Sequence, residues 1–279
     1  MLRRMFLAFA VTTLVALTAS AQTPTADDII SKHVAALGGA EKLKATKTLR
    51  MTGRMTVGPG IEAPIVIEYK RPGSTRLDLT LQGMTATQAY DGKTGWSINP
   101  FQGSKNAEPM GEDELKDAAE NADWEGPLVN YKEKGHKVEL VGKEQIEGTD
   151  AYKLKVTLKG GDVRYLYLDA DSFLEIKGES KRTIRGTERE LESASGDYKE
   201  VGGLVFPHSL EFGAKGSPQK QKLTIEKIEI NPDVDDARFK MPAAPKPDAN
   251  APAAKPENKQ TETKPAEKKP EDPKKPPQL

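Results

Sequence analysis

The chain has 279 residues, with 42 basic and 42 acidic side chains, three histidines and no cysteine. The lack of cysteine excludes disulfide bonds, iron–sulfur clusters, a cysteine nucleophile and a lipid anchor on an N-terminal cysteine. The mean hydropathy of -0.64 is low for a globular protein, which predicts that part of the chain lies outside any folded core.

Residues 1–21 have the pattern of a secretory signal peptide. Arg3 and Arg4 form a basic start, a short apolar run follows, and Ala19-Ser20-Ala21 supplies the small residues of a cleavage site. A membrane anchor is the alternative, but the apolar run is short for a membrane span, so the signal peptide is the better interpretation. We expect cleavage before Gln22 and a mature protein that acts in the periplasm.

The body of the chain, residues 22–242, begins with a predicted helix. Thr25 and Asp28 have the spacing of a capping box, apolar residues then recur at helical spacing, and Gly38-Gly39 provides the stop. His33 lies on the same face as the aliphatic residues, where a packed histidine is more common than a metal ligand.

After this helix the apolar period changes from helical to two. Alternation recurs in many short segments separated by turn signals, and it predicts roughly ten or eleven antiparallel strands, each with one apolar face. One acidic stretch, Gly111 to Glu120, interrupts the strands and predicts a helix. The predicted fold is therefore α+β, mainly β, with a large antiparallel sheet.

The stretch Tyr90 to Trp96, YDGKTGW, contains the Gly-Lys-Thr triplet of a phosphate-binding loop. That motif needs a glycine where this chain has Thr87, and it joins a strand to a helix. Here strand-like residues lie on both sides, so Asp91-Gly92 predicts a tight hairpin turn and Lys93 a solvated lysine. We expect no nucleotide to bind.

Residues 243–279 form a tail rich in proline and lysine that lacks aromatic and β-branched aliphatic residues. Such a composition cannot bury enough apolar surface to order the chain, so we expect a disordered tether. The signal segment and the tail each carry a net charge of +2, which leaves -4 for the body. A mildly acidic body argues against a nucleic-acid partner.

The sequence offers little evidence of catalysis. No two histidines have the spacing of a zinc pair, and no nucleophile elbow is present. A pair of carboxylates of the glycosidase type stays possible, because acidic residues are abundant. We expect no catalytic residue, no metal and no cofactor.

A sheet of this size, when curved, has a wide concave face, and an apolar concave face next to helices can bind an apolar ligand. A well-filled core with the helices as plugs is the alternative. Trp96 and Phe101 are the predicted mouth of the cavity. The candidate lining residues are Met51, Ile67, Leu77, Leu79, Leu81, Tyr90, Trp96, Ile98, Phe101, Leu154, Tyr165, Tyr167 and Leu223.

Four stretches together give the chain a family resemblance: ADDIISKHVAALGGAEKLKATKTLRMTGRM, AYDGKTGWSINPFQG, VELVGKEQIEGTDAYKLKVTL and YKEVGGLVFPHSLEF. They cover most of residues 26–242, and the pattern resembles the periplasmic lipoprotein carriers related to LolA and LolB, the outer-membrane lipoprotein-sorting proteins. The resemblance implies an open, strongly curved antiparallel half-barrel with helices as a lid over an apolar cavity. It also implies that the protein shuttles lipid acyl chains, with envelope membrane proteins as possible donor or acceptor.

Three hypotheses follow from the sequence. The first is an exported carrier of lipid or acylated lipoprotein, in which the N-terminal helix and the acidic helix close over the concave face. The second is a non-enzymatic interaction module of the cell envelope with a filled core, which binds through its edge strands and tail. The third is an enzyme that uses carboxylates.

Overall fold

The computed structural model describes residues 24–184 and 187–243 of the chain, with side chains described outside residues 182–187. The signal peptide and all but the first residue of the tail lie outside the described residues, so both stay predictions. No helix in the described ranges has the length and apolar content needed to cross a membrane.

The described part of the chain contains three α-helices: α1 (Ala26–Ala36), α2 (Ala40–Ala45) and α3 (Glu112–Asn121). The predicted capping box of α1 is confirmed, because the Asp28 amide donates to Thr25 Oγ1 at 3.2 Å and the Thr25 amide donates to Asp28 Oδ2 at 2.9 Å. The predicted acidic helix is confirmed as α3, which begins after Gly111.

The strands of the described residues form one antiparallel sheet of thirteen strands, and two short 3₁₀ turns complete the secondary structure described. The strands are β1 (Thr48–Gly58), β2 (Ile61–Lys70), β3 (Ser74–Leu81), β4 (Met84–Tyr90), β5 (Gly95–Ile98), β6 (Glu108–Pro109), β7 (Lys137–Ile146), β8 (Thr149–Thr157), β9 (Val163–Asp169), β10 (Glu175–Ile184), β11 (Thr187–Val201), β12 (Leu204–Ala214) and β13 (Gln221–Ile230). Their order across the sheet is β6-β5-β4-β3-β2-β1-β13-β12-β11-β10-β9-β8-β7.

The predicted fold class is confirmed. The described chain is mainly β, with one open, curved antiparallel sheet and few helices. The expected number of ten or eleven strands is too low. Strand β6 has two residues and therefore no alternation to detect, and the polar sequence of β11 hides its period.

The hydrophobic core lies on one face of the sheet, which we call the inner face. Helix α1 and residues 122–136, which we call the crossing segment, both pack against it. Ile29 and Ile30 of α1 join a buried cluster with Leu154 and Leu166 of β8 and β9. A second cluster centres on β1, β2, β12 and β13 and includes Val129 of the crossing segment. Much of the inner face is therefore filled by these two elements.

The opposite, outer face is covered near β1 to β5 by residues 231–240, which follow the last strand. Phe239 is buried there, and its carbonyl oxygen accepts a hydrogen bond of 2.9 Å from Trp96 Nε1. Glu68, also buried, forms ion pairs with Arg50 and Arg238. These contacts hold the segment up to Phe239 on the sheet, and both faces of this half of the sheet carry buried apolar side chains.

The hairpin predicted at YDGKTGW is confirmed. Strands β4 and β5 pair directly across the turn, with Tyr90 opposite Gly95. Asp91 Oδ1 accepts from the backbone amides of Lys93 at 2.9 Å and Thr94 at 2.8 Å. These bonds fix the turn and hold the pKa of the Asp91 carboxyl below its usual value. The Gly-Lys-Thr triplet is thus part of a side-chain-stabilised turn between two strands.

Candidate functional site: a cavity between helix α3 and the inner face

A cavity of about 730 Å³ lies between α3, the crossing segment, the β2–β3 turn and the β8–β9 turn. Its volume falls in the range of small-molecule sites, roughly 300–1,000 Å³. Apolar and aromatic side chains contribute part of the wall: Tyr69, Ala119, Ala122, Trp124, Pro127 and Leu158. The cavity therefore offers an apolar surface beside the filled part of the inner face.

Helix α3 forms one wall of the cavity and is held loosely. None of its residues is buried. It approaches the sheet at Gly95, where an added Cβ would lie 2.4 Å from Met110 Sδ and 3.1 Å from Leu115 Cδ1. Glycine at this position therefore allows α3 and the loop before it to approach β5.

Ion pairs connect the walls of the cavity. Lys116 of α3 lies 2.6 Å from Asp162 of the β8–β9 turn, and Glu120 of α3 pairs with Arg164 of β9. The Lys116 pair is largely exposed, with 57% and 37% of the two side chains accessible, so it contributes at most about 1 kcal/mol. These pairs hold α3 against the far half of the sheet without burying it.

Arg71 anchors the crossing segment from the β2 side. Its guanidinium lies over the Trp124 ring at 5.6 Å and donates to the carbonyl oxygens of Leu43 and Thr46. Its Nη2 is also 2.6 Å from Glu125 Oε1, although that oxygen has no hydrogen bond of acceptable angle. The Arg71–Glu125 contact is therefore electrostatic.

Two titratable groups of the crossing segment that line the cavity, Asp123 and His136, have shifted pKa values. Burial raises the pKa of the Asp123 carboxyl, and the neighbouring Lys134 ammonium partly opposes this increase. Lys134 Nζ donates to both Asp123 oxygens and to the Gly126 carbonyl, which uses all three of its protons. Burial lowers the pKa of His136, and Lys134 and Arg164 lower it further, against the opposing charges of Asp123 and Glu120.

Three predicted lining residues form one row across the inner face. Met51 pairs with Ile67, and Ile67 pairs with Leu77. The register and the core clusters also place Leu79, Leu81, Tyr90, Leu154 and Leu223 on this face.

Four other predicted residues lie on the outer face. Trp96 pairs with Ala89 and Ile98 with Thr87, and these partners in turn face Arg76 and Asp78. Tyr165 and Tyr167 lie beside Lys155 and Lys153, on the face opposite Leu154 and Leu166. Phe101 belongs to a 3₁₀ turn and is 42% exposed.

None of the thirteen predicted residues, all of them described, lines the cavity. The residues that do line it come from turns, α3 and the crossing segment, where no period of two marks them. One signal was present in the sequence. Trp124 is one of only two tryptophans, and it stands in a stretch that has no strand pattern.

No model of a known protein family matches the chain, and no curated protein sequence is similar to it. Among solved structures, the chain is similar to a LolA superfamily protein from Nitrosomonas europaea, with a TM-score of 0.51 and 14% identity over 78% of this chain and 98% of that one. A DUF1329 family protein from Desulfovibrio piger gives a TM-score of 0.49 and 12% identity over 78% and 98% of the two chains. A putative outer membrane lipoprotein-sorting protein domain from Vibrio parahaemolyticus gives 0.44 and 12% over 76% and 94%.

At 14% identity, the likeness to the Nitrosomonas europaea protein concerns the fold. It covers nearly all of that protein and the greater part of this chain. The resemblance predicted from the sequence is thereby confirmed at the level of the fold, which this chain shares with that protein.

Proposed function

We propose that the protein is an exported carrier that binds the acyl chains of a lipid or an acylated lipoprotein. The observation that carries the proposal is the cavity of about 730 Å³ between α3 and the inner face, with Tyr69, Trp124 and Leu158 in its wall. The shared fold supports the same function, because the Nitrosomonas europaea neighbour is described as a LolA superfamily protein and the resemblance to LolA implies a carrier of acyl chains.

The energetics of a carrier need only a cavity from which water is excluded. Each methylene removed from water contributes about 0.8 kcal/mol, so an acyl chain of about 16 carbons gains roughly 12 kcal/mol when fully enclosed. A free diacyl lipid cannot cross an aqueous compartment at a useful rate against such a cost. The residues around the cavity need no catalytic role for this function.

In this proposal the two helices have different tasks. Helix α1 is a permanent part of the core, since its residues Ile29 and Ile30 are buried. Helix α3 buries none of its residues and is held by the largely exposed pair Lys116–Asp162 and by the pair Glu120–Arg164, whose side chains are 20% and 21% accessible. Elements with few buried contacts open at low free-energy cost, so α3 is the lid through which a chain enters.

The interaction-module hypothesis has one observation in its favour. The two buried clusters fill much of the inner face, and several of their members, among them Ile29, Leu49 and Leu154, are fully buried. A module of this kind would leave the cavity to water and bind a protein partner elsewhere. The experiment below separates the two functions.

The two tryptophans allow a direct test, because Trp124 lines the cavity and Trp96 lies on the outer face. In the Trp96→Phe variant, Trp124 is the only tryptophan, and we expect spin-labelled stearate to quench most of its fluorescence with a saturable dose dependence. In the matched Trp124→Phe variant, the remaining Trp96 should be quenched little. Circular dichroism checks that both variants fold.

Equal quenching of both tryptophans would mean that stearate binds nonspecifically. Quenching of neither, in folded protein, would reject the carrier function and favour the interaction module.

A further inference from the structure

We propose that the cavity selects amphiphiles with an anionic headgroup, a carboxylate or a phosphate, and that Lys159 and His136 form the corner that holds this group. The proposal rests on the proposed carrier function and adds a headgroup class to it. Three features carry it: the charges that line the cavity, the pairing of those charges, and the geometry of this corner.

The lining of the cavity has a net positive charge. Six basic and four acidic side chains line it, which gives +2 without counting His136: Lys70, Arg71, Lys116, Lys134, Lys159 and Arg164 against Glu120, Asp123, Glu125 and Asp162. The C-terminal end of α3 also borders the cavity and contributes about half a negative charge. The balance stays positive, although the body as a whole is acidic.

All four acidic groups of the lining already have a basic partner. Arg71 pairs with Glu125, Lys116 with Asp162, Lys134 with Asp123 and Arg164 with Glu120. Lys70 is used elsewhere, since its ammonium binds Asp236 and the Val234 carbonyl oxygen. Within residues 24–184 and 187–243, Lys159 is the lining cation for which no ion pair is seen.

Lys159 is held next to His136 by two contacts. Its backbone amide donates to His136 Nδ1 at 3.1 Å. Its side-chain stem lies over Gly135, where an added Cβ would be 3.5 Å from Lys159 Cγ and Cδ. Because Nδ1 accepts a hydrogen bond, the neutral imidazole carries its proton on Nε2. The corner thus presents an ammonium group and an imidazole N–H, both donors that suit an anion.

His136 responds to the charges around it. Burial lowers its pKa most, Lys134 and Arg164 also lower it, and Asp123 and Glu120 raise it. A bound anion would add to the effect of the two carboxylates and raise the pKa of His136. Binding would then take up protons, so affinity for an anionic ligand should increase as the pH falls through the range in which His136 titrates.

The apolar part of the cavity argues for a lipid headgroup rather than a free anion. Trp124, Ala122 and Leu158 line the same space as the charged corner. A free phosphate would leave this apolar wall in contact with water. An amphiphile would cover the wall with its acyl chain and place an anion at the charged corner. The same argument favours a single acyl chain next to a charged group as the smallest ligand that binds well.

The test compares two lysophospholipids with the same palmitoyl chain, lysophosphatidylglycerol and lysophosphatidylcholine, below their micelle concentrations, and inorganic phosphate alone. Titration calorimetry on the full mature chain should show the anionic lysolipid binding about tenfold more tightly than the zwitterionic one, a difference of about 1.4 kcal/mol. Lys159→Gln should reduce this preference to about threefold or less. Lys222→Gln, a similarly exposed lysine on β13, should retain it.

NMR titration of the His136 ring gives a second readout that a merely structural lysine would not change. Its pKa should rise when lysophosphatidylglycerol binds and should stay constant with lysophosphatidylcholine. Equal affinity for both lysolipids would overturn the headgroup inference and leave the carrier function standing. Binding of neither would reject the carrier function itself.

Two further outcomes bear on the details. If inorganic phosphate binds as tightly as lysophosphatidylglycerol, the site holds a free anion and the lipid assignment is wrong. If Lys159→Gln folds normally and keeps the tenfold preference, the corner formed by Lys159 and His136 does not hold the headgroup.

Discussion

Glu175 is a carboxyl group in an apolar part of the inner face. It pairs in register with Leu168 of β9, and an added Cβ on Gly178 would lie 3.3 Å from its Oε1. Burial raises the pKa of Glu175 to about 7, and the Arg164 charge opposes this increase only in part. The Tyr198 hydroxyl donates to the backbone carbonyl oxygen of Glu175 at 2.6 Å, and this bond does not involve the side-chain carboxyl group.

The raised pKa of Glu175 predicts how the stability of the protein depends on pH. Between pH 4.5 and about 7, the folded protein keeps the Glu175 proton that the unfolded chain has lost, so Glu175 makes stability fall as the pH rises and has a constant effect above pH 7. The full shift corresponds to about 3.4 kcal/mol, and we expect about 2 kcal/mol because the residue keeps some exposure. The free energy of unfolding of Glu175→Gln minus that of the wild type should therefore be about 2 kcal/mol larger at pH 8 than at pH 4.5.

Urea denaturation of the wild type and the variant at the two pH values measures this difference. Comparing the two proteins at each pH cancels the contributions of Asp123, His33 and His136, whose pKa values are also shifted. Glu200→Gln, at an exposed position, is the matched control and should behave as the wild type. If Glu175→Gln has the same effect at both pH values, the carboxyl does not titrate near neutral pH in the folded state.

At the scale of the elements, the pairing of β1 with β13 depends on Gly53. The register of the two strands shifts between Thr52 and Gly53, and a Cβ added at Gly53 would lie 2.0 Å from the Thr224 carbonyl oxygen and 3.0 Å from Ile225 Cα. Both neighbours are backbone atoms, which cannot move without disturbing the strand. Close approach of the two backbones at this irregularity therefore requires glycine.

Gly53→Ala should destabilise the protein by about 3 kcal/mol, because overpacking against backbone forces β13 to move. Gly196→Ala on β11 is the matched control. No atom lies within 4 Å of the position that a methyl group added at Gly196 would take, so this change should alter stability by less than about 1 kcal/mol. Urea denaturation measures both free energies of unfolding. Equal, small effects would show that the backbones of β1 and β13 do not approach closely at Gly53.

The elements also show how far the sequence predicts the structure. The capping box of α1, the acidic helix α3 and the β4–β5 hairpin were all predictable, because each depends on residues that are close in sequence. The face of a strand was less predictable. Tyr165 and Tyr167 alternate with Leu166 and Leu168 on β9, so both faces of this strand carry large side chains and the period cannot say which one faces the core.

Trp96 shows the same limit for a different reason. It alternates with Gly95 and Ser97, and the apolar residue of such a pattern is expected to face the core. The outer face near β5 is itself covered, by Phe239, and Trp96 packs there. That covering comes from residues more than a hundred positions later in the chain, and no local pattern in β5 indicates it.

At the scale of the whole molecule, the cavity depends on the twist of the sheet. Strands β2 and β8 are seven places apart in the strand order. At roughly 20–25° per strand, twist accumulates to about 140–175° over this distance. The β2–β3 turn and the β8–β9 turn, which line the cavity together, therefore approach each other although they are distant in the sheet. The sequence predicts a curved sheet but not which turns meet.

The same arrangement explains the division of the molecule into a rigid and a movable part. Helix α1 and the middle of the crossing segment fill the inner face with buried aliphatic residues such as Ile29, Leu128 and Val129. Helix α3 and the turns around the cavity meet mainly through charged side chains. Apolar burial thus fixes the sheet, and ion pairs, of which Lys116–Asp162 is largely exposed, close the space in which we propose that a ligand binds.

The central claim, that this space holds a lipid, is tested most directly by native mass spectrometry. The protein should be exported to a bacterial periplasm as the full chain and purified without detergent. We expect a fraction of it to carry a bound mass that dissociates as a phospholipid, a fatty acid or an acylated peptide. A mass of the protein alone, unchanged after incubation with lysophosphatidylglycerol, would contradict the carrier function.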